Sequence, residues 1–139
     1  MLTYERMRKY EGAWHLERWN LFPECVVFEC RGEEALTQAL QILHRELPLA
    51  ETGEKEIFSV GEDEERILRE IFGSEKNLPM SKGVIRGGRV QITEGPLRGR
   101  EQMIRKVDRH KRLAFLKMEN AGNEICLKAG LEITEKTAL

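Results

Sequence analysis

The chain has 139 residues, 40% of them hydrophobic and 34% charged, with a formal net charge of −1. This is the composition of a soluble globular chain, long enough for one domain or two small ones. No apolar run approaches the ~20 residues of a membrane helix, and the charged opening MLTYERMRKYEG has no signal-peptide stretch, so a cytoplasmic location is expected.

The near-neutral total hides a strong asymmetry. Residues 1–80 hold 10 basic and 17 acidic side chains, a net −7, whereas residues 81–139 hold 13 and 7, a net +6. Such a split suggests two modules with different partners, the basic half being the nucleic-acid candidate.

In chain order, Tyr4 to Cys30 reads as extended, with a turn at Gly12 and the apolar run Cys25-Val-Val-Phe28. Trp14, Trp19, Phe22 and Phe28 crowd into this segment of a chain only 6% aromatic. Trp14 and Phe28 suit the core of a small sheet; Phe22 suits either that core or an exposed docking patch. From Glu33 to Arg45, Leu36, Ala39, Leu40 and Leu43 fall on one helical face, and Pro48 follows soon after. A second helix is expected near Asp63 to Phe72, with Ile67, Leu68, Ile71 and Phe72 on one face. Glu62, Asp63, Glu64 and Glu65 crowd its first turn, where the helix dipole favours them, and Gly73 stands where a helix would stop. Ser59 and Glu62 have capping-box spacing. The acidic cluster is read as a helix start rather than a metal site.

Residues 74–83, with glycines at the flanks and Pro79, read as a linker. Beyond it, period-two alternation predicts strands around Val90 and Ile92, Met103 to Val107, Leu113 to Met118, Ile125 to Leu127 and Leu131 to Ile133. Gly87-Gly88, the run from Glu94 to Gly99, the charged run Asp108 to Arg112, Asn120 to Asn123 and Ala129-Gly130 supply turns. Five short strands so closely connected indicate a small barrel, whose closure would remove exposed sheet edges.

Ten Lys or Arg lie between Lys82 and Arg112, against Glu94, Glu101 and Asp108. Arg98, Arg100, Arg109, His110, Lys111 and Arg112 come from two turns that could converge at one end of a barrel, with Arg105 and Lys106 on the strand between them. Such a cluster would neutralise phosphates with salt-dependent affinity, and arginine adds planar bidentate pairing. Few aromatics accompany it, which favours backbone and groove contact over base stacking. A solvated charged loop without a ligand is the bland alternative.

Cys25, Cys30 and Cys126 are an odd number without a CxxC pair, against a disulfide framework or a cysteine zinc site. Buried or half-buried free thiols are expected, with Cys25 and Cys30 on opposite faces if they share a strand. His15 and His44 have no partners at metal-ligand spacing. No nucleophile–base pair, phosphate-cradling loop or paired carboxylate stands out, so neither an enzyme nor a cofactor is expected.

The run Val90-Gln-Ile-Thr-Glu-Gly-Pro-Leu-Arg-Gly99 followed by Ile104-Arg-Lys-Val-Asp108 resembles the KOW motif that the NusG family carries on an SH3-like barrel. Asn20-Leu-Phe-Pro-Glu-Cys-Val-Val-Phe-Glu29 looks like the family's Leu-Phe-Pro segment, part of the NGN domain that binds the clamp helices of RNA polymerase. Asp108 to Arg112 and Gly130-Leu-Glu-Ile133 look like the LoaP-type antitermination paralogues. The family's NGN domain opens with a strand and a helix that have no counterpart before Leu2. Glu24-Cys25 replaces the family's Gly-Tyr pair, and Gln102 stands where many KOW motifs carry a glycine.

The resemblance implies an α+β chain: an N-terminally truncated NGN-like α/β sandwich over 1–73, a linker over 74–83, and a five-stranded KOW barrel over 84–139. It implies a transcription antitermination or elongation factor, with Trp19, Leu21, Phe22 and Pro23 towards polymerase. The basic residues named above would grip a hairpin in a nascent leader RNA. Family barrels that bind the small-subunit ribosomal protein S10 or the termination factor Rho do so through exposed aromatics. Leu97, Arg100 and Ala121 occupy those positions here, so neither partner is expected. A ribosome-associated or other RNA-binding KOW protein without polymerase contact is the alternative.

Overall fold

The computed structural model describes residues 2–21, 32, 34, 35, 37, 38, 41, 60–120 and 123–138. The chain separates into two compact units, Met1–Val26 with Val60–Leu139, and Val27–Ser59. In the second unit, the described Glu34, Ala35, Thr37, Gln38 and Gln41 are helical, within the helix expected over 33–45. The apolar positions of that helix, with Phe28, Cys25 and Cys30, lie outside the described residues.

The first unit opens with a hairpin, β1 (Thr3–Tyr10) and β2 (Ala13–Asn20), antiparallel from Thr3↔Asn20 to Tyr10↔Ala13. Its two-residue loop needs positive φ at both positions. Glu11 (54°) and Gly12 (77°) supply it. After helix α1 (Glu62–Phe72), the short strand β3 (Asn77–Leu78) pairs parallel with β1, completing a sheet of order β2-β1-β3. Asn77 is buried, and its polar groups are answered: Thr3 Oγ1 donates to Asn77 Oδ1 at 2.9 Å, and Asn77 Nδ2 donates to Glu5 Oε2 at 3.0 Å.

Helix α1 buries Leu68, Ile71 and Phe72. Its first turn is acidic and Gly73 ends it, the Gly73 N–H bonding the Arg69 carbonyl at 3.0 Å. Ser59 of the expected capping box lies outside the described residues. Gly61 is the N-cap, and no side chain caps the helix. With glycine there, the dipole is answered by four carboxylates rather than by a cap hydroxyl.

A second sheet follows: β4 (Ser81–Arg86), β5 (Arg89–Glu94), β6 (Ile104–Asp108), β7 (Leu113–Asn120) and β8 (Asn123–Thr137). A short 3-10 turn, Glu101–Met103, precedes β6. The strand order is β5-β4-β8-β7-β6. Two features depart from the expected strands. Residues 77–78 and 81–83, read as linker, are β3 and the start of β4, with Asn77, Leu78 and Ser81 buried. Ala129-Gly130, expected to turn, runs straight through the 15-residue β8.

The cause is Gly130's neighbour. A Cβ at Gly130 would sit 2.2 Å from the Glu5 carbonyl oxygen of β1, so the glycine admits another backbone instead of reversing its own. On one side of this point β8 pairs antiparallel with β7, from Asn120↔Asn123 to Leu113↔Gly130. On the other it pairs parallel with β4, from Ser81↔Leu131 to Arg86↔Thr137. One strand thus serves two ladders, and no closed barrel is found: among the described residues, β5 and β6 end the sheet unpaired on their outer sides. Both edges are short and carry charge, Arg89 and Glu94 on one and Lys106 on the other, which discourages edge-to-edge association.

The sheet's core is aliphatic. Leu97, Leu116, Leu127 and Leu131 are at most 2% exposed, each such burial contributing roughly 1.5–3 kcal/mol. The fold of the described residues is therefore mixed α+β, mostly strand, in two sheets. Among them, no helix is long and apolar enough to cross a membrane.

Candidate nucleic-acid interface

Asp108, the last residue of β6, and the four residues of the turn to β7 that follow it are all polar, and the structure divides their labour. Asp108 Oδ1 accepts the Lys111 backbone N–H at 2.9 Å. That bond, foremost, holds the Asp108 carboxyl below the usual aspartate range; the Lys111 charge, the His110 backbone N–H and the His110 ring add to it. The aspartate thus caps the turn as an Asx side chain does.

Arg112 closes the turn in a left-handed conformation, φ 55°. Its carbonyl accepts the Leu131 N–H at 2.9 Å. Its guanidinium lies 3.9 Å from the centre of the Trp14 ring, and Nη1 is 3.6 Å from Glu132 Oε1. Arg112 is therefore a strut, stacked on the hairpin and paired to β8. Arg109, His110 and Lys111 are exposed, with no hydrogen-bonded or ion-paired side-chain partner among the described residues. A ligand would meet these three.

The second basic turn, between β5 and the 3-10 turn, is built on Gly95 (φ 102°), where a Cβ would lie 2.6 Å from Ser81 Cα. Leu97 donates its N–H to Ser81 Oγ at 3.2 Å and is fully buried. Arg98 is exposed, whereas Arg100 is ion-paired with Glu70 of α1. The backbone between the two turns is continuous: Ser81, whose Oγ accepts the Leu97 N–H, is the register partner of Leu131, whose N–H donates to the Arg112 carbonyl. Arg105 and Lys106 lie on β6. Arg105 Nη1 donates to the Gln102 carbonyl at 2.6 Å, and Lys106 Nζ sits 5.7 Å from the Phe115 ring centre.

The residues expected to face polymerase separate. Trp19 is on the surface, 39% exposed; its indole N–H donates to Glu17 Oε1 at 2.8 Å, and the Arg6 guanidinium lies 4.7 Å over its ring. That indole bond is the main reason the Glu17 carboxyl sits below its usual range, helped by Arg8 at 3.0 Å. Leu21 is 1% exposed and belongs to the core. Phe22 and Pro23 lie outside the described residues.

Sequence reasoning missed two things. Trp14, expected in a sheet core, is half-buried beneath Arg112, and only the tertiary contact could show it. Phe115 beside Lys106 was legible in the alternation of β7, whose Ala114, Leu116 and Met118 are buried while Phe115 and Lys117 take the other face. Cys126, expected to be at least half-buried, is exposed. Among the described residues, no cluster of three His, Cys, Asp or Glu could hold a metal ion.

The described residues thus define a mixed α+β protein with a braced, outward-facing basic turn on its larger sheet. The chain matches no protein-family model, and no curated protein is significantly similar to it.

Proposed function

We propose that the chain is a NusG-like transcription antitermination factor of the LoaP type, which contacts structured RNA through its C-terminal basic turn. The braced turn carries this reading. Asp108 and Arg112 hold the backbone, so Arg109, His110 and Lys111 are presented without the entropy cost of ordering a loose loop. Arg98, exposed on the other basic turn, would add a further phosphate contact. Phosphates neutralised there would release counterions, making the affinity steeply salt-dependent.

In this reading β4 to β8 correspond to an SH3-like KOW module. Gly95 occupies the KOW-like run at a backbone approach no side chain would permit. The β1–β2 hairpin, β3 and α1 correspond to part of an NGN domain, with the exposed Trp19 towards the polymerase clamp. The mechanism is a bridge between polymerase and nascent RNA that disfavours pausing, with no bond chemistry. Docking on the small-subunit ribosomal protein or on Rho forms no part of it. Leu97 is buried and Arg100 is engaged by Glu70, which leaves two of the three expected positions without a free ring-bearing surface; Ala121 lies outside the described residues.

A second reading, an RNA-binding KOW protein of the ribosome without polymerase contact, is favoured by the burial of Leu21, which removes one docking residue. The test joins two measurements. Arg109→Gln with Lys111→Gln should weaken binding to an RNA hairpin and lower the slope of log affinity against log salt by about one to two. Co-purification with polymerase supports the first reading, and co-purification with ribosomal subunits supports the second. An unchanged slope would remove the turn as the RNA contact in either case.

A further inference from the structure

The face of β6-β7-β8 turned away from the core carries basic residues that the turn does not use. Register sets Lys106, Phe115 and Lys128 side by side across the three strands, with Lys117 beside Cys126 in the next row. The register shift between Ile104 and Lys106 marks a bulge at Arg105, which joins the same surface. Between Arg105, Phe115, Lys117, Cys126 and Lys128 opens a shallow concavity of about 300 Å³. Glu124 Oε1 is 2.9 Å from Lys117 Nζ, and Glu119 is the register partner of Glu124 one row further on.

An aromatic ring among four cations on an open sheet face has a specific chemical use. The ring offers a flat apolar surface to a nucleobase, and the surrounding ammonium and guanidinium groups meet the phosphates on either side. Lys106 now lies over the Phe115 ring as a cation–π contact. Such a contact is weak at an exposed site and weaker than base stacking, so an arriving base can displace it and free the ammonium for a phosphate.

We infer that this face binds unpaired RNA, one base stacking on Phe115 and the flanking phosphates meeting Lys106, Lys128 and Arg105. The inference rests on the RNA reading above and adds a single-strand site to a turn that meets structured RNA. A nascent transcript offers both, a hairpin and the unpaired nucleotides beside it. An acidic peptide would satisfy the cations but leave the ring without a partner.

The experiment measures fluorescence anisotropy of a short unstructured RNA and of an RNA hairpin with the full chain, across a salt series. Phe115→Leu keeps an apolar, similarly sized side chain on the sheet, and Phe115→Tyr restores the ring. Phe115→Leu should weaken the unstructured RNA about tenfold with an unchanged salt slope, and Phe115→Tyr should bind as the parent does. Lys106→Gln with Lys128→Gln should lower the single-strand slope by about one to one and a half. The inference is overturned if Phe115→Leu binds the unstructured RNA normally, or if a polyglutamate peptide competes with it as well as unlabelled RNA does. Loss of hairpin binding in Arg109→Gln/Lys111→Gln alongside an indifferent Phe115→Leu would overturn this site and leave the proposed function standing. Absence of binding to either RNA by the parent chain would overturn both.

Discussion

Arg112 and Trp14, far apart in the chain, meet face to face: the guanidinium lies 3.9 Å from the centre of the indole. With the Glu132 ion pair at 3.6 Å, this contact fastens the basic turn to the N-terminal hairpin and to β8 at once. It gives the last residue of a charged run a structural part within the fold. If the turn binds RNA as proposed, substitutions along the run should separate, stability changing at Arg112 and affinity at Arg109 and Lys111.

Replacing Arg112 by Lys keeps the charge and removes the planar stacking group. Unfolding in urea should show a loss of about 1 kcal/mol for Arg112→Lys, and a double-mutant cycle with Trp14→Ala should recover a coupling of roughly 0.5–1 kcal/mol. Hairpin RNA affinity in Arg112→Lys should fall far less than in the Arg109/Lys111 double variant. Additivity of the two substitutions would contradict the stacking.

Gly130 admits the backbone of β1, and a methyl group there meets the Glu5 carbonyl oxygen, which cannot swing aside as a side chain would. Gly130→Ala should therefore destabilise by about 1–3 kcal/mol, read as a lowered thermal midpoint. A midpoint equal to the parent's would mean that β1 and β8 do not approach in this way.

The Asp108 carboxyl is held below its ordinary value of 3.8, first by the Lys111 backbone N–H. A depressed folded-state pKa stabilises above the unfolded value and loses that contribution as pH falls through the folded one. The stability difference between the parent and Asp108→Asn should thus be full at neutral pH, begin to shrink as pH drops below 3.8, and close at still lower pH. Urea unfolding of both proteins between pH 2 and 7 checks it; a difference that grows on acidification would reverse the assignment.

Cys126 is an exposed thiol on the outer face of β8. Brief alkylation of the folded protein, followed by peptide mapping, should find Cys126 modified without denaturant. Resistance until unfolding would return it to the half-buried state that composition alone suggests.

Much of the local structure was legible in advance because local rules suffice for it. Four apolar residues at helical spacing, acids ahead and a glycine behind, define Glu62–Phe72 within a residue of the expected span. Alternation marks β5, β7 and the first half of β8, and Gly12 and Gly87-Gly88 turn as a flexible backbone should. The charge split of −7 and +6 is arithmetic on the sequence, and it directs attention to the basic second half.

What the sequence by itself determined is therefore the type of most elements, the place of several turns and the location of the positive charge. Tertiary structure decided how they are used. Gly130 reads locally as a turn, yet it is a point of contact with β1, so β8 runs on and joins two ladders. Leu97 and Leu21 read as surface residues within recognisable runs, yet both are in the core. Arg112 reads as one more cation, yet Trp14 and Glu132 claim it while Arg109 and Lys111 stay outside. The physical reason is common to all of these: backbone propensity and side-chain periodicity act over a few residues. Burial and charge pairing depend on partners that only folding brings within reach.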